Sequence, residues 1–173
     1  MNAARRDTVS FRTGGHSAAP AWPFAFAAVA SFGAVAAALV TQHVYAMDPC
    51  PWCVLERLLF VVIGLFALLG LLWRSAIGSR LAGTFILLLA IAGMAATMWQ
   101  HFVAAKSASC NLTLADRIMT ASQLDRLLPG VFEARASCAD AAVTLAGIPY
   151  DFLAAAVFLA CAIAMIRALR RVV

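Results

Sequence analysis

Charged side chains are missing from four long stretches of the chain, and those stretches outline its architecture. No Asp, Glu, Lys or Arg occurs between Arg12 and Asp48, between Arg57 and Arg74, or between Arg80 and Lys106, and the run from 141 to 166 holds only Asp151. Each stretch is continuously apolar and does not alternate, which excludes the short alternating strands of an outer-membrane barrel. A bilayer core of about 30 Å takes about 20 helical residues to cross. Transmembrane helices are therefore expected near 23–44, 54–73, 81–103 and 149–167. Residues 1–22 form a basic tail, and the intervening loops are about 45–53 and 104–148. The expected fold is an all-α membrane protein, a single four-transmembrane-helix bundle spanning 1–173.

The composition agrees. Apolar residues make up 64% of the chain and charged residues 12%, against about 45–50% and about 25% in soluble domains. With a mean hydropathy of +0.91, the chain is neither disordered nor an ordinary soluble domain; its partner is the lipid bilayer. The net charge of +5 is carried by scattered residues with no basic, aromatic-interleaved stripe, so nucleic acid is not an expected partner.

The basic residues orient the bundle instead. Arg5, Arg6 and Arg12 lie in the N-terminal tail, Arg74 and Arg80 in the turn after the second helix, and Arg167, Arg170 and Arg171 at the C-terminus. The first loop carries Asp48 and no basic residue, and the second balances its charges. Both termini are therefore expected in the cytoplasm and the other two loops outside. Val44-Tyr45-Ala46 resembles a signal-peptide cleavage site, but the first apolar run exceeds the usual length of about 7–15 residues, so that span is read as retained.

Within the second loop, Ile118, Met119, Ala121, Leu124, Leu127 and Leu128 recur at helical spacing from Ala115 to Leu128, with polar residues mostly between them. A short amphipathic helix on the membrane surface is predicted there, ended by Pro129-Gly130.

The topology sorts the five cysteines. Cys50 and Cys53 fall in the first outer loop, Cys110 and Cys138 in the second, and Cys161 within the fourth helix as a buried apolar residue. Outward loops are where disulfides persist. Cys50-Pro51-Trp52-Cys53 would be a poor staple, since so short a ring removes little unfolded-chain entropy. It suits reversible electron transfer, and the start of a helix favours the Cys53 thiolate. No His follows Cys53, so haem attachment is not indicated, and no second Cys-X-X-Cys completes a four-cysteine zinc site. A Cys110–Cys138 bond could be structural, contributing about 3–4 kcal/mol in the chain-entropy view. Two outward pairs on one chain shift the reading toward a thiol–disulfide relay.

Arg57 lies close to the outer membrane boundary, one helical turn after Cys53 and on the same face. An arginine so placed is a functional candidate by default, here as a hydrogen-bond donor to a lipid-soluble electron acceptor. The alternative is an interfacial arginine that snorkels or pairs with Glu56. His43 and His101, near the outer ends of their spans, are further candidates for that acceptor, and Trp52 and Trp99 are expected in the interfacial aromatic belt.

Together, Gln42-His43-Val44, Pro49-Cys50-Pro51-Trp52-Cys53, Glu56-Arg57 and Trp99-Gln100-His101, with the pair Cys110 and Cys138, resemble the disulfide bond formation protein B (DsbB) family over about residues 25–170. The resemblance implies a quinone-linked thiol oxidase of the bacterial inner membrane that reoxidises a periplasmic, thioredoxin-like DsbA-type partner. By position, Cys110 would take the partner's attack, with Cys138 as its mate. Electrons would pass to Cys50 and Cys53 through a transient inter-loop disulfide. Cys53 would face the quinone, ubiquinone or menaquinone, and Arg57 would hold a quinone oxygen. A loop helix lying on the surface would let the two pairs meet at the membrane edge. The Pro51-Trp52 dipeptide departs from the aliphatic pair common in the family.

Two other readings stand beside this one. A vitamin K epoxide reductase-like thiol oxidase would carry its Cys-X-X-Cys after the other pair, and here it comes first. A membrane metal-binding or transport protein would use the thiols as soft ligands; no metal is expected here.

Overall fold

The structure is a computed structural model and describes residues 20–106, 113–145 and 147–171. In chain order these form α1 (Ala21–Tyr45), α2 (Pro51–Leu72), α3 (Ala76–Phe102) and a single 3-10 turn (Ala104–Lys106). The second loop then contributes α4 (Leu114–Ser122), α5 (Leu124–Leu127), α6 (Pro129–Phe132) and a two-stranded antiparallel hairpin, β1 (Thr144–Leu145) and β2 (Ile148–Pro149). The last helix is α7 (Tyr150–Arg170). Among the described residues, α1, α2, α3 and α7 are long and apolar enough to cross a membrane.

These four helices pack in a ring, α1 on α2, α2 on α3, α3 on α7 and α7 on α1. Phe24, Phe60, Ile63, Ile86, Phe158 and Met165 fill the centre. The Phe60 and Phe158 rings stack with centroids 4.0 Å apart. Gly93 lets α3 approach α7 so closely that an added Cβ would enter the Phe158 ring, the use that small residues have in helix packing within lipid. The outward faces are apolar too, with Val29, Leu72 and Ile77 exposed, because hydrocarbon is the solvent there.

Three of the four helices, α2, α3 and α7, extend past the uncharged stretches that predict them, and α1 lies within its own. An uncharged run measures the lipid core, whereas a helix can continue into the headgroup layer. Thus α3 starts at Ala76, before the expected 81, because the Ser75 hydroxyl accepts the Gly78 N–H at 2.9 Å and caps the helix there. Likewise α7 carries Arg167 and Arg170 in its last turn, where cations complement the helix dipole.

The single amphipathic helix expected from 115 to 128 is two short ones, α4 and α5, and a third, α6, starts at the Pro129-Gly130 expected to end it. Thr113 and Asp116 form a reciprocal capping box at the start of α4. Gln123, in the left-handed region at φ 56°, then ends α4 and opens α5. Pro129 begins α6. Ala115, Met119 and Phe132 are buried, the latter two against Val54 of α2, while Leu114, Leu127 and Leu128 are exposed. The predicted inner and outer faces survive the break only in part.

Candidate functional site

Two prolines set the geometry of the first cysteine pair. Pro51 occupies the first position of α2, where its missing N–H is no loss. A residue before proline is steered to extended backbone, and Cys50 accordingly has φ −83° and ψ 167°, the conformation of an N-cap. Its sulfur accepts the Cys53 N–H at 3.2 Å. The turn brings the two Sγ atoms to 2.7 Å. Cys50 is fully buried, whereas Cys53 is partly open.

The second loop is pinned onto this turn. The Pro49 carbonyl accepts the N–H groups of Arg135 and Ala136 at 3.0 and 3.3 Å. Cys138, shortly after them, hydrogen-bonds Cys50 and receives the backbone N–H of Trp52. Cys50 therefore touches a cysteine of each pair. The hydrogen bond to Cys138, then that to Cys53, then burial push the Cys50 thiol far above its usual range. Cys138 is pulled the other way, chiefly by the Cys50 hydrogen bond and with help from Trp52, against partial burial. Of the two, Cys138 is the more readily ionised. Cys110 lies outside the described residues.

Cys53 and Arg57 border two cavities. One, of about 280 Å³, opens among the loops and is also lined by Asp48, Pro49, Ala136 and Asp140. The other, of about 190 Å³, is an apolar groove between α1, α2 and α7, walled by Ala34, Ala38, Phe60, Leu153 and Val157. Thr41 and Tyr150 also belong to both, their hydroxyls 3.4 Å apart. Cys53 thus lines both the loop cleft and the apolar groove between the helices.

Arg57 is buried rather than snorkelling and is not paired with Glu56. Its Nη1 donates to Gln42 Oε1 and, at 3.0 Å, to the Val131 carbonyl; Nη2 donates to the Ala38 carbonyl at 3.2 Å. It so joins α2 to α1 and to the end of α6. On another side of Cys53, Gln100 Nε2 donates to the sulfur at 3.4 Å and to Asp151 Oδ1 at 2.7 Å.

The sequence pattern of the family described as "Disulfide bond formation protein DsbB" matches residues 20–168. The chain belongs to the DsbB family. It is similar to "Disulfide bond formation protein B" of Ralstonia nicotianae, 36% identical over 123 residues that cover 66% of this chain and 72% of that protein. It is also similar to "Disulfide bond formation protein B 1" of Pseudomonas aeruginosa, 30% identical over 132 residues, 74% of this chain and 81% of that protein. With "Disulfide bond formation protein B" of Herminiimonas arsenicoxydans it shares 31% identity over 118 residues, 67% and 74% of the two chains. No solved structure matches it. As a DsbB-family member the chain is a multi-pass membrane protein of disulfide bond formation, with a thiol oxidoreductase role.

Within this DsbB-family fold the two candidate histidines take up positions off the groove. His43 is exposed and its Nε2–H donates to the Gly130 carbonyl at 3.1 Å, fastening α6 to α1. His101 Nδ1 meets Asp151 Oδ2 at 3.2 Å. Trp52 corrects an expectation: it is buried with Cys50, Leu55, Ala96, Ala104 and Ala115, not set in an interfacial belt, because α4 covers the start of α2. Trp99 is exposed as expected.

Sequence reasoning assigned no role to Gln42, Thr41, Tyr150, Gln100, Glu56 or Asp151. Glu56 is buried beside the groove, its Oε1 without a hydrogen-bond partner among the described residues. Asp151 carried a usable signal, as the lone charge in the last apolar run. The uncharged polar residues carried no such signal, because the spans are read from missing charges and an amide or hydroxyl does not interrupt an uncharged run.

Proposed function

We propose that this chain is a protein-dithiol:quinone oxidoreductase of the bacterial inner membrane, with both termini cytoplasmic and its redox cysteines periplasmic. It reoxidises a thioredoxin-like, DsbA-like thiol oxidant and delivers the electrons to membrane ubiquinone or menaquinone. Cys53 carries this assignment, since it lines both the cleft among the loops and the apolar groove between the helices.

The groove fits a quinone. Its walls are alanine, leucine, valine and phenylalanine, and its polar groups are Arg57, Glu56, Thr41 and Tyr150, which accompany Cys53. Arg57 is the group to hold a ring oxygen there, its guanidinium already fixed by three acceptors. Quinone, when bound, supplies an acceptor for two electrons and two protons.

The protein side of the reaction is a sequence of exchanges, each a thiolate attacking a disulfide sulfur. A partner thiolate attacks Cys110 of a Cys110–Cys138 disulfide, forming a mixed disulfide and releasing Cys138. Cys138, whose sulfur receives the Trp52 backbone N–H, attacks Cys50 of the Cys50–Cys53 disulfide as the thiolate; Cys50–Cys138 forms and Cys53 leaves as thiolate. The partner's second thiol closes the partner's own disulfide and frees Cys110, which reclaims Cys138. Cys50 and Cys53 remain as the reduced pair, two electrons richer. They give up those electrons at the groove as their disulfide re-forms.

The test is quinone absorbance, followed on the purified chain given quinone and a reduced thioredoxin-like dithiol protein. Absorbance should fall with the wild-type chain and stay constant when Cys50 and Cys53 are both serine. No reduction by a folded wild-type chain with either quinone would overturn the proposal. Loss of bound metal from the double variant would instead favour soft-ligand metal binding.

A further inference from the structure

Once exchange releases Cys53, a sulfur anion sits at the edge of the lipid core, where an unpaired charge is costly. Arg57 is the obvious counterion, yet its hydrogen bonds run to Gln42, Val131 and Ala38. Among the described residues, the side-chain N–H group that hydrogen-bonds the Cys53 sulfur is the Gln100 amide, at 3.4 Å.

The orientation of that amide is dictated from behind. A glutamine can present either its oxygen or its nitrogen, and the surroundings decide which. Asp151 Oδ1 accepts from Gln100 Nε2 at 2.7 Å, and a carboxylate oxygen has lone pairs for an amide N–H but nothing for an amide oxygen. The NH2 group must therefore face Asp151, and the same nitrogen reaches Cys53. His101 holds the other Asp151 oxygen at 3.2 Å and fixes the carboxylate plane. Gln100 and Asp151 are both buried, so the row from His101 through Asp151 and Gln100 to Cys53 is sheltered for most of its length.

We propose that Gln100 is a catalytic residue that stabilises the Cys53 thiolate, with Asp151 and His101 as positioning residues that lock its amide nitrogen toward the sulfur. An N–H group donated to a neutral thiol is weak, and the same group donated to a thiolate is charge-assisted. The row therefore favours Cys53 as the sulfur that leaves when Cys138 attacks Cys50. This deepens the proposed function and rests on Cys53 being released as the thiolate.

The experiment uses the full chain with Cys50, Cys110, Cys138 and Cys161 replaced by serine, so that iodoacetamide reports on Cys53 alone and no quinone is needed. Gln100→Met keeps the shape and removes the donor. It should slow alkylation at pH 7 about tenfold and move the pH–rate profile up by about one unit, the worth of one hydrogen bond to a charged group. Gln100→Leu, a second uncharged replacement without a donor, guards against a folding defect peculiar to Met and should move the profile the same way. Asp151→Asn frees Gln100 to turn its oxygen to the sulfur but also removes a carboxylate whose charge opposes the thiolate; a profile that still moves up supports the positioning role of Asp151, and one that moves down overturns it. The neighbouring titratable groups, Glu56 and Arg57 on α2, Tyr150 and Asp151 on α7, His101 on α3, Asp48 of the first loop and Asp140 of the second, stay in place in both Gln100 variants. Unmoved profiles in both folded Gln100 variants overturn the proposal. A wild-type chain that fails to reduce quinone but shows the shift overturns the functional reading and leaves the thiolate donor standing.

Discussion

Cys138 of the second loop hydrogen-bonds Cys50 of the first, although Cys50 already contacts its near neighbour Cys53. The Pro49 carbonyl enforces the meeting by holding Arg135 and Ala136. One buried sulfur is thereby shared between the two pairs, the arrangement that exchange from one pair to the other requires.

The shared sulfur predicts which inter-loop bond forms. With Cys53 and Cys110 replaced by serine, Cys50 and Cys138 should be joined when the chain is mapped without reductant. With Cys50 and Cys110 replaced instead, a Cys53–Cys138 bond should form to an extent lower by about tenfold, since disulfide geometry is specific and Cys138 is seated on Cys50. Equal yields would refute the shared-sulfur arrangement.

The thiol shifts predict a pH dependence. A lowered pKa keeps the Cys138 anion populated to lower pH, and that population is lost as pH falls through the lowered value. Cys50 supplies the largest part of the lowering. In Cys50→Ala the pH profile for alkylation of Cys138 should therefore move upward by about one unit, as followed by mass spectrometry of the modified peptide. A profile that moves downward contradicts the assignment.

Arg57→Ala should separate the two halves of the reaction. Quinone reduction is expected to slow by at least about tenfold, while single-turnover oxidation of the dithiol partner changes by less than about twofold. Arg57→Lys should rescue poorly, because a single ammonium cannot match three acceptors met by a planar fork. Equal losses in both half-reactions would make Arg57 purely structural.

At Gly93 the close approach of α3 and α7 leaves no room for a methyl group beside Phe158. Gly93→Ala should lower stability by about 1–3 kcal/mol through overpacking, measured by thermal unfolding in detergent. An unchanged midpoint would mean that the Phe60–Phe158 stack yields easily.

The parts of this molecule that were legible in the sequence are those written in charge and in cysteine spacing. The uncharged runs mark the four spans because a charge in hydrocarbon is costly, and Cys50-Pro51-Trp52-Cys53 announces its helix start through Pro51. The break at Gln123 was hidden because hydropathy spacing continues through a residue whose backbone turns left-handed. Trp52 reads as interfacial by type, and only the packing of α4 over α2 buries it. Gln42 and Gln100 were visible as part of a resemblance, but their work depends on which side chains face them across the bundle, and that is tertiary information.

The central claim is that electrons leave the loops for the membrane at Cys53. Single-turnover mixing of reduced thioredoxin-like partner, quinone and either wild-type chain or Cys53→Ser, with quinone absorbance and partner disulfide read from the same sample, tests it most directly. Wild-type chain should oxidise the partner and reduce quinone in equal amounts. Cys53→Ser should still form the mixed disulfide with the partner and reduce no quinone. Quinone reduction by Cys53→Ser at the wild-type rate would contradict the account.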